Sequence, residues 1–242
     1  MIKLNALSAG YGKFHVLYDI SVDFEDMKLT VVLGPNGSGK STLLKSIFGL
    51  TTIYSGDILL NTEKITGKPP NQIAKKGIAY VSQVQNIFPN LSVRENLIMA
   101  GYTLRSGEAN ERVKEVIEYY PVLNQCYNRK ASTMSGGERQ ILAIAMSLVR
   151  KPDLMLFDEP TANLSPKMAT QIMTEITKLR DNFGKTIILV EQNAIKALNC
   201  GDRALLLVGG KVNFYGLPND LLNSPELGAL YLGIQQKEPS AK

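Results

Sequence analysis

The sequence predicts an α/β protein built on a mixed, largely parallel β-sheet. Short apolar runs with the length and β-branched composition of buried strands recur at Leu29–Leu33, Leu154–Phe157 and Thr186–Val190. Helical patterns stand between such runs, as over Lys40–Phe48 and Pro166–Asn182. Strands that alternate with helices favour parallel pairing, because a parallel crossover needs a long connection that is usually helical.

The other predicted strands fall into two groups. Near the start, Ile2–Leu7 and Ser21–Phe24 alternate in polarity, and a loop through Gly10-Tyr11-Gly12 separates them, which indicates an antiparallel β-subdomain. The remaining strands are predicted at Asp57–Leu60, Ile78–Ser82, Arg203–Val208 and Lys211–Tyr215, with a hairpin turn at Gly209-Gly210 between the last two.

Residues 84–135 differ from the rest of the chain in their sequence pattern. Val93–Met99 and Glu108–Tyr120 have helical patterns, and the segments between them are rich in Pro, Asn and Gly. We interpret this stretch as a helical subdomain inserted into one domain that spans residues 1–242. Helical patterns resume at Gly136–Arg150 and at Ala194–Leu198.

Composition excludes several classes of function. The 242 residues include 44% hydrophobic and 20% charged residues, and the net charge of +5 comes from scattered Lys and Arg, which does not favour nucleic-acid binding. The two cysteines form no CxxC pair, and His15 is the single histidine, so histidine-based metal or triad chemistry has little basis. No apolar run approaches the ~18 residues of a membrane span, and the first residues do not resemble a signal peptide. We expect a cytoplasmic protein that reaches a membrane only through partners.

The strongest motif is a phosphate-binding loop between a predicted strand and a predicted helix. It matches the pattern GxxxxGK[ST] and consists of Gly34, Pro35, Asn36, Gly37, Ser38, Gly39, Lys40, Ser41 and Thr42. Its glycines let backbone N–H groups face a polyphosphate at the helix N-terminus. Lys40 adds a positive charge, Ser41 can ligate Mg²⁺, and Thr42 lies at the phosphate end. The strand–loop–helix context favours this P-loop NTPase interpretation over a glycine-rich turn with a chance lysine.

Two carboxylates, Asp158 and Glu159, end the apolar strand Leu154–Phe157. Ligands bind at the carboxyl ends of strands in open α/β sheets, so these acids belong at the mouth of a site. Asp158 can hold Mg²⁺ through water, and Glu159 can polarise an attacking water molecule. The plainer alternative is a buried strand whose terminal acids cap the following turn, and the P-loop upstream favours the catalytic interpretation.

A third motif, at Met134–Gln140, opens a helix with two glycines. The motif lies between the P-loop and the acidic strand end. With these three motifs in this order, the chain resembles the ATP-binding-cassette ATPases over nearly its whole length, and the signature of that family is LSGGQ. The sequence keeps Ser135, Gly136 and Gly137 and has Met134 and Glu138 at the ends. The resemblance implies that ATP and Mg²⁺ are bound, that ATP is hydrolysed, and that Ser135–Glu138 contacts ATP held by the P-loop of a second subunit.

The resemblance assigns three further residues. Tyr11 matches the aromatic residue that stacks on adenine, although a half-buried aromatic at a strand end is the plainer alternative. Val16 lies where the family places an apolar contact to the base. Gln83 matches the glutamine that touches Mg²⁺ and links ATP to the transmembrane partner, and its alternative is a surface glutamine in a loop.

Two positions depart from the family pattern. The loop after the acids ends in Ser165 where aspartate is usual, and Gln192 stands where the family has a histidine that contacts the γ-phosphate. The amide of Gln192 can donate a hydrogen bond to phosphate, but it cannot take up a proton. A mechanism that needs proton transfer at this position is therefore in doubt.

The segments Leu189–Asn193 and Leu230–Gly233 resemble one branch of the family, which powers import of branched-chain and other hydrophobic amino acids. This resemblance implies a second ATPase subunit, identical or different, together with transmembrane permease subunits. It also implies an extracytoplasmic substrate-binding protein as an indirect partner. The chain would then lie on the inner face of the cell membrane and bind no nucleic acid.

Other functions stay open at this point. Importers of urea or short amides resemble this branch. Family members that act in translation or repair usually carry two cassettes or a long coiled-coil insertion, whereas this chain has one cassette. A P-loop kinase or GTPase would leave Ser135–Glu138 unexplained, and a GTPase would need an NKxD motif that we do not find. Lys40 and Glu159 argue against a catalytically silent cassette.

Overall fold

The computed structural model describes residues 2–83 and 86–224. The strands are, in chain order, β1 (Ile2–Tyr11), β2 (Phe14–Phe24), β3 (Leu29–Leu33), β4 (Thr52–Leu60), β5 (Glu63–Lys64), β6 (Ile78–Val81), β7 (Leu154–Asp158), β8 (Thr186–Val190), β9 (Arg203–Val208) and β10 (Lys211–Gly216). The helices are α1 (Lys40–Ile47), α2 (Pro70–Lys75), α3 (Val93–Ala100), α4 (Ser106–Tyr119), α5 (Pro121–Gln125), α6 (Gly136–Leu148), α7 (Pro166–Phe183), α8 (Ala194–Leu198) and α9 (Pro218–Leu222), with a 3-10 turn at Ala131–Thr133.

The larger sheet has six strands in the order β10-β9-β3-β8-β7-β6. All neighbours pair in parallel except β10, which pairs antiparallel with β9 at one edge. This arrangement confirms the predicted mixed sheet. Because parallel strands share one carboxyl edge, the segments that follow β3, β6, β7 and β8 meet at the same end of the sheet.

The smaller sheet is antiparallel, with the order β2-β1-β4-β5, which confirms the predicted antiparallel subdomain. The predicted loop at Gly10-Tyr11-Gly12 is wrong in extent, because β1 continues to Tyr11, which pairs with Phe14. The chain reverses over Gly12 and Lys13 alone, and Gly12 has a φ of 58°, which glycine adopts without steric cost.

The core lies on both faces of the larger sheet. Successive residues of β3 point to opposite faces, so Leu29 and Val31 join one buried cluster and Val32 joins the other. Helix α1 packs between the two sheets and buries Leu43 and Leu44. The P-loop therefore leads directly into a helix that contacts both sheets.

The predicted helical insertion contains α3, α4 and α5 in its described part. Its two ends meet, because a bridge joins Ser92 to Lys130 and the N–H of Ala131 donates to the carbonyl of Leu91 at 2.9 Å. The first residues of the predicted insertion, Val84 and Gln85, lie outside the described residues, as does the predicted family segment Leu230–Gly233. The subdomain bounds of 84–135 stay a prediction.

Within residues 2–83 and 86–224, every helix is too short or too polar to cross a membrane.

Candidate active site

The P-loop connects β3 to α1 and has the backbone of an anion cradle. Gly34, Gly37 and Gly39 have φ values of 146°, 79° and 99°, and a β-carbon on Gly34 would collide with the carbonyl oxygen of Leu207. Only glycine satisfies both conditions at Gly34. Gly39 is the N-cap of α1, where no described side chain caps the helix, so its first N–H groups remain available to a ligand.

Lys40 places a positive charge beside this loop. Its side chain is buried, and Nζ donates to the carbonyl oxygens of Gly34 at 2.8 Å and Pro35 at 3.0 Å. Burial lowers the pKa of Lys40, and the charges of Glu159 and Asp158 act in the opposite direction. The ammonium group is therefore held at the loop, and the two acids at the end of β7 are close enough to favour its charged form.

Asp158 ends β7 next to the P-loop. One of its carboxylate oxygens accepts a hydrogen bond from Ser41 at 2.8 Å, and the other accepts one from the Tyr80 hydroxyl at 2.9 Å. Burial, followed by the charge of Asp158, raises the pKa of Tyr80, so this hydroxyl stays a donor. Tyr80 was not predicted, and the signal that could have found it is its place on β6, three residues before Gln83.

The carboxylate of Glu159 accepts hydrogen bonds from side chains of two other loops. Its Oε2 accepts from Gln192 at 2.7 Å and from Gln83 at 3.2 Å, and its N–H donates to the carbonyl of Val190 at 2.9 Å. Its φ is 50°, a left-handed conformation that costs a non-glycine residue about 1–3 kcal/mol. The fold thus brings together Glu159, Gln83 and Gln192 from three loops.

A second carboxylate near this cluster, Glu191, was not predicted. It directly follows β8, is only 5% exposed, and accepts two hydrogen bonds from Thr161. Burial raises the pKa of Glu191, while the bonds from Thr161 and from the N–H of Gln192 act to lower it. An acid at the carboxyl end of a buried strand was the signal that identified Asp158, and it applies equally to Glu191.

Val16 and Tyr11, the two residues predicted to contact the base, lie in different surroundings. Val16 lines one depression together with the loop residues 36–42 and Glu159. Tyr11 ends β1 with 42% of its surface exposed and is not among the residues that line this depression. The structure therefore brings Val16 to the P-loop and leaves Tyr11 as an exposed aromatic at the strand end.

The signature segment lies apart from the P-loop, and Gly136 lines a different depression together with Gln83. Ser135 and Glu138 form a capping box at the start of α6, in which the carboxylate of Glu138 accepts from the N–H of Ser135 at 2.7 Å. This bond is the main reason that the pKa of Glu138 is lowered. Glutamate and glutamine both close a capping box, which explains why Glu138 can replace the family's glutamine.

Helix capping also explains why Ser165 can stand where the family usually has aspartate, at the end of the loop after the acids. Its hydroxyl accepts from the N–H of Met168 at 3.4 Å and caps α7. Serine and aspartate are both preferred N-cap residues, so the helix can begin at the same place with either one.

The residues fit a nucleotide with a divalent cation. The buried hydroxyl of Ser38 has no hydrogen-bond partner among the described residues, and a phosphate oxygen would satisfy it. Ser41 and Asp158 offer the hard oxygen ligands that Mg²⁺ prefers. The uncapped α1, Lys40 and Ser38 together suit a polyphosphate.

Comparison with known proteins shows the family to which this chain belongs. The family model for ABC transporters matches residues 17–162, which is more than half of the chain. The probable branched-chain amino acid transport ATP-binding protein LivF of Archaeoglobus fulgidus is 49% identical over 97% of this chain and 99% of its own length. The high-affinity branched-chain amino acid transport ATP-binding protein BraG of Pseudomonas aeruginosa is 39% identical over 96% of this chain and 100% of its own length.

Solved structures show the same architecture. The ADP conformation of the ATP-binding cassette MJ1267 is similar with a TM-score of 0.86 and 24% identity, covering 95% of this chain and 97% of that one. The dimeric post-hydrolysis structure of the cassette MJ0796, bound to ADP and Pi, has a TM-score of 0.77 and 27% identity, covering 90% and 99%. This chain binds ATP and belongs to the ABC transporter family, as one of its ATP-binding cassette ATPases.

Proposed function

We propose that this chain is the ATP-hydrolysing subunit of an importer of branched-chain or other hydrophobic amino acids. The observation that carries the proposal is the 49% identity to a probable branched-chain amino acid transport protein over nearly the full length of both chains. The substitution of glutamine for histidine at Gln192 supports the same branch. The working form would be a dimer of cassettes attached to permease subunits, and an extracytoplasmic binding protein would deliver the amino acid.

ATP binding is assigned to the P-loop cradle. Lys40 and the free N–H groups at the start of α1 neutralise and orient the phosphates, and Val16, which lines the same depression, contacts the base. Tyr11, which lies outside that depression, stacks on the base with its exposed ring. Ser41 and Gln83, and Asp158 through water, would hold Mg²⁺, which would supply charge neutralisation at the terminal phosphates. Ser135, Gly136, Gly137 and Glu138 would face ATP held by the other subunit, since none of them lines the depression at this chain's own P-loop and Gly136 lines a different one.

Hydrolysis is assigned to Glu159 with Gln192 beside it. The carboxylate of Glu159 accepts a proton from the attacking water. The amides of Gln83 and Gln192 donate to that carboxylate. The –NH₂ group of Gln192 has a second donor, which would bind the γ-phosphate when ATP is present. Tyr80 fixes the carboxylate of Asp158 from the side opposite Ser41.

The test is isolation of the intact transporter. The tagged chain, purified in detergent from its own cells, should carry permease subunits that mass spectrometry identifies. Reconstituted in liposomes with its binding protein, the complex should accumulate leucine in an ATP-dependent way, and the same complex carrying Glu159→Gln is the matched control. Accumulation of urea or short amides in place of leucine would contradict the substrate class. Purification with ribosomes or DNA, and no permease, would contradict a role in transport.

Replacing Tyr11 by alanine should weaken ATP binding by about 1–3 kcal/mol, the scale of base–aromatic stacking, while the rate at saturating ATP stays near the parent rate. The measurement is titration with a fluorescent ATP analogue. Phe14→Ala is the matched control, because Phe14 pairs with Tyr11 across the turn and is 80% exposed. Equal affinities for Tyr11→Ala and the parent would show that Tyr11 does not stack on adenine.

A further inference from the structure

Glu191 is a buried carboxylate to which the proposed mechanism gives no part. Its Oε1 accepts from the N–H of Thr161 at 3.1 Å and from the Thr161 hydroxyl at 2.7 Å. Its Oε2 accepts from the N–H of Gln192 at 3.3 Å. Both oxygens are therefore engaged, and each one faces a different loop.

These contacts join the loop after β7 to the loop after β8. Thr161 lies two residues beyond Glu159 on the first loop, and Gln192 lies one residue beyond Glu191 on the second. The loops also meet at the Glu159 N–H, which donates to the carbonyl of Val190, and at the Gln192 amide, which donates to Glu159. Glu191 adds a further connection between the same two loops, through its hydrogen bonds from Thr161.

We propose that Glu191 is a positioning residue for ATP hydrolysis, which fixes the Gln192 amide relative to Glu159 by tying the Gln192 backbone to Thr161. This inference deepens the proposed function and rests on the roles proposed there for Glu159 and Gln192. Glu191 itself touches neither water nor phosphate in this mechanism.

The chemistry of the contact favours a carboxylate over the other side chains of similar size. A carboxylate accepts at both oxygens, whereas an amide accepts at one end and donates at the other. With glutamine at this position, the –NH₂ group would face either the N–H of Gln192 or the two donors of Thr161, and one side of the connection would be lost. Hydrogen bonds to a charged acceptor are also roughly twice as strong as neutral ones.

A carboxylate with 5% exposure is costly to bury, because its charge loses hydration. Thr161 and Gln192 supply three donors that compensate for this loss. A glutamate without a specific role would ordinarily lie at the surface, because charged side chains are almost never fully buried unless they are paired. The ionisable group is instead placed where two catalytic loops meet, which supports a role in their alignment.

Glu191→Gln should lower the turnover of ATP by about ten- to a hundredfold, the scale of losing a charge-assisted hydrogen bond, with the Kd for ATP unchanged. Thr161→Val should have the same effect from the other side of the contact, and Thr161→Ser, which keeps the hydroxyl, should restore most of the rate. Each variant is compared by steady-state ATPase, by ATP titration and by thermal melting.

The sharpest comparison uses Gln192→Ala as a background. If Glu191 acts through Gln192, adding Glu191→Gln to Gln192→Ala causes no further loss, whereas a purely structural defect slows both backgrounds by the same factor. Asp202→Asn is the matched control, because Asp202 accepts from the N–H of Leu29 and from Arg180 at the opposite end of the sheet. It should lower the melting temperature and leave turnover unchanged.

The outcomes separate this inference from the proposed function. Parental turnover in both Glu191→Gln and Thr161→Val would overturn the inference, and so would equal losses in the two backgrounds. Full activity of Glu159→Gln and Gln192→Ala would instead contradict the proposed mechanism, whatever the Glu191 variants show.

Discussion

Glu159→Gln is expected to slow ATP hydrolysis by about 10²–10⁴-fold and to leave ATP binding intact. The amide oxygen of the new residue can still accept from Gln83 and Gln192, as Oε2 of Glu159 does at 3.2 Å and 2.7 Å. The loops should therefore keep their positions, while the basicity that accepts a proton from water is lost. Single-turnover hydrolysis and ATP titration measure the two effects separately.

With hydrolysis blocked, ATP should accumulate between two subunits and hold them together, and light scattering after size-exclusion chromatography would detect the dimer. Glu175→Gln is the matched control, since Glu175 is a carboxylate on α7 that pairs with Lys178 away from the site. Hydrolysis at the parent rate in Glu159→Gln would exclude Glu159 as the base.

Gln192→Ala is expected to slow turnover by about tenfold to a thousandfold, the scale for losing one donor to a transition state. Alanine removes the amide that binds Glu159 at 2.7 Å and that would reach the γ-phosphate. Gln192→His should retain more activity than Gln192→Ala, because an imidazole N–H can replace the lost donor. Steady-state ATPase distinguishes the three proteins.

The measurement should be made on the purified chain and on the assembled transporter. If the native dimer pairs two different ATPase subunits, its two composite sites differ, and one of them could carry most of the turnover. Lys196→Ala controls for general effects on the loop and helix that follow Gln192. Equal rates for Gln192→Ala and the parent in both settings would show that Gln192 does not contact the reacting phosphate.

The sequence predicted the parts of the fold that are encoded in continuous segments. The P-loop is a single segment, and the apolar runs at β3, β7 and β8 are long enough to identify as strands. Three short helices, α2, α5 and α9, were missed, since five or six residues with a proline in the first turn carry little periodicity. The predicted loop between β1 and β2 was also wrong in extent, because within the turn itself only Gly12 is a typical turn residue.

The sequence predicted those residues of the candidate site that lie within a recognisable local motif. Tyr80 and Glu191 were missed, because their contacts with the site depend on the strand order β8-β7-β6, in which β7 lies between β8 and β6. That order places Tyr80 beside Asp158 on one side of β7 and Glu191 beside Thr161 on the other. Strand order is a tertiary property, and no local pattern in the sequence specifies it.

The role proposed for Glu159 sets catalysis against stability at this position of the backbone. Its φ of 50° is one that glycine adopts freely and glutamate does not. A chain selected for folding alone would gain from glycine at this position, yet glycine would remove the carboxylate. Keeping glutamate means accepting a less stable native state in exchange for turnover, a trade-off that enzymes commonly make at their active sites.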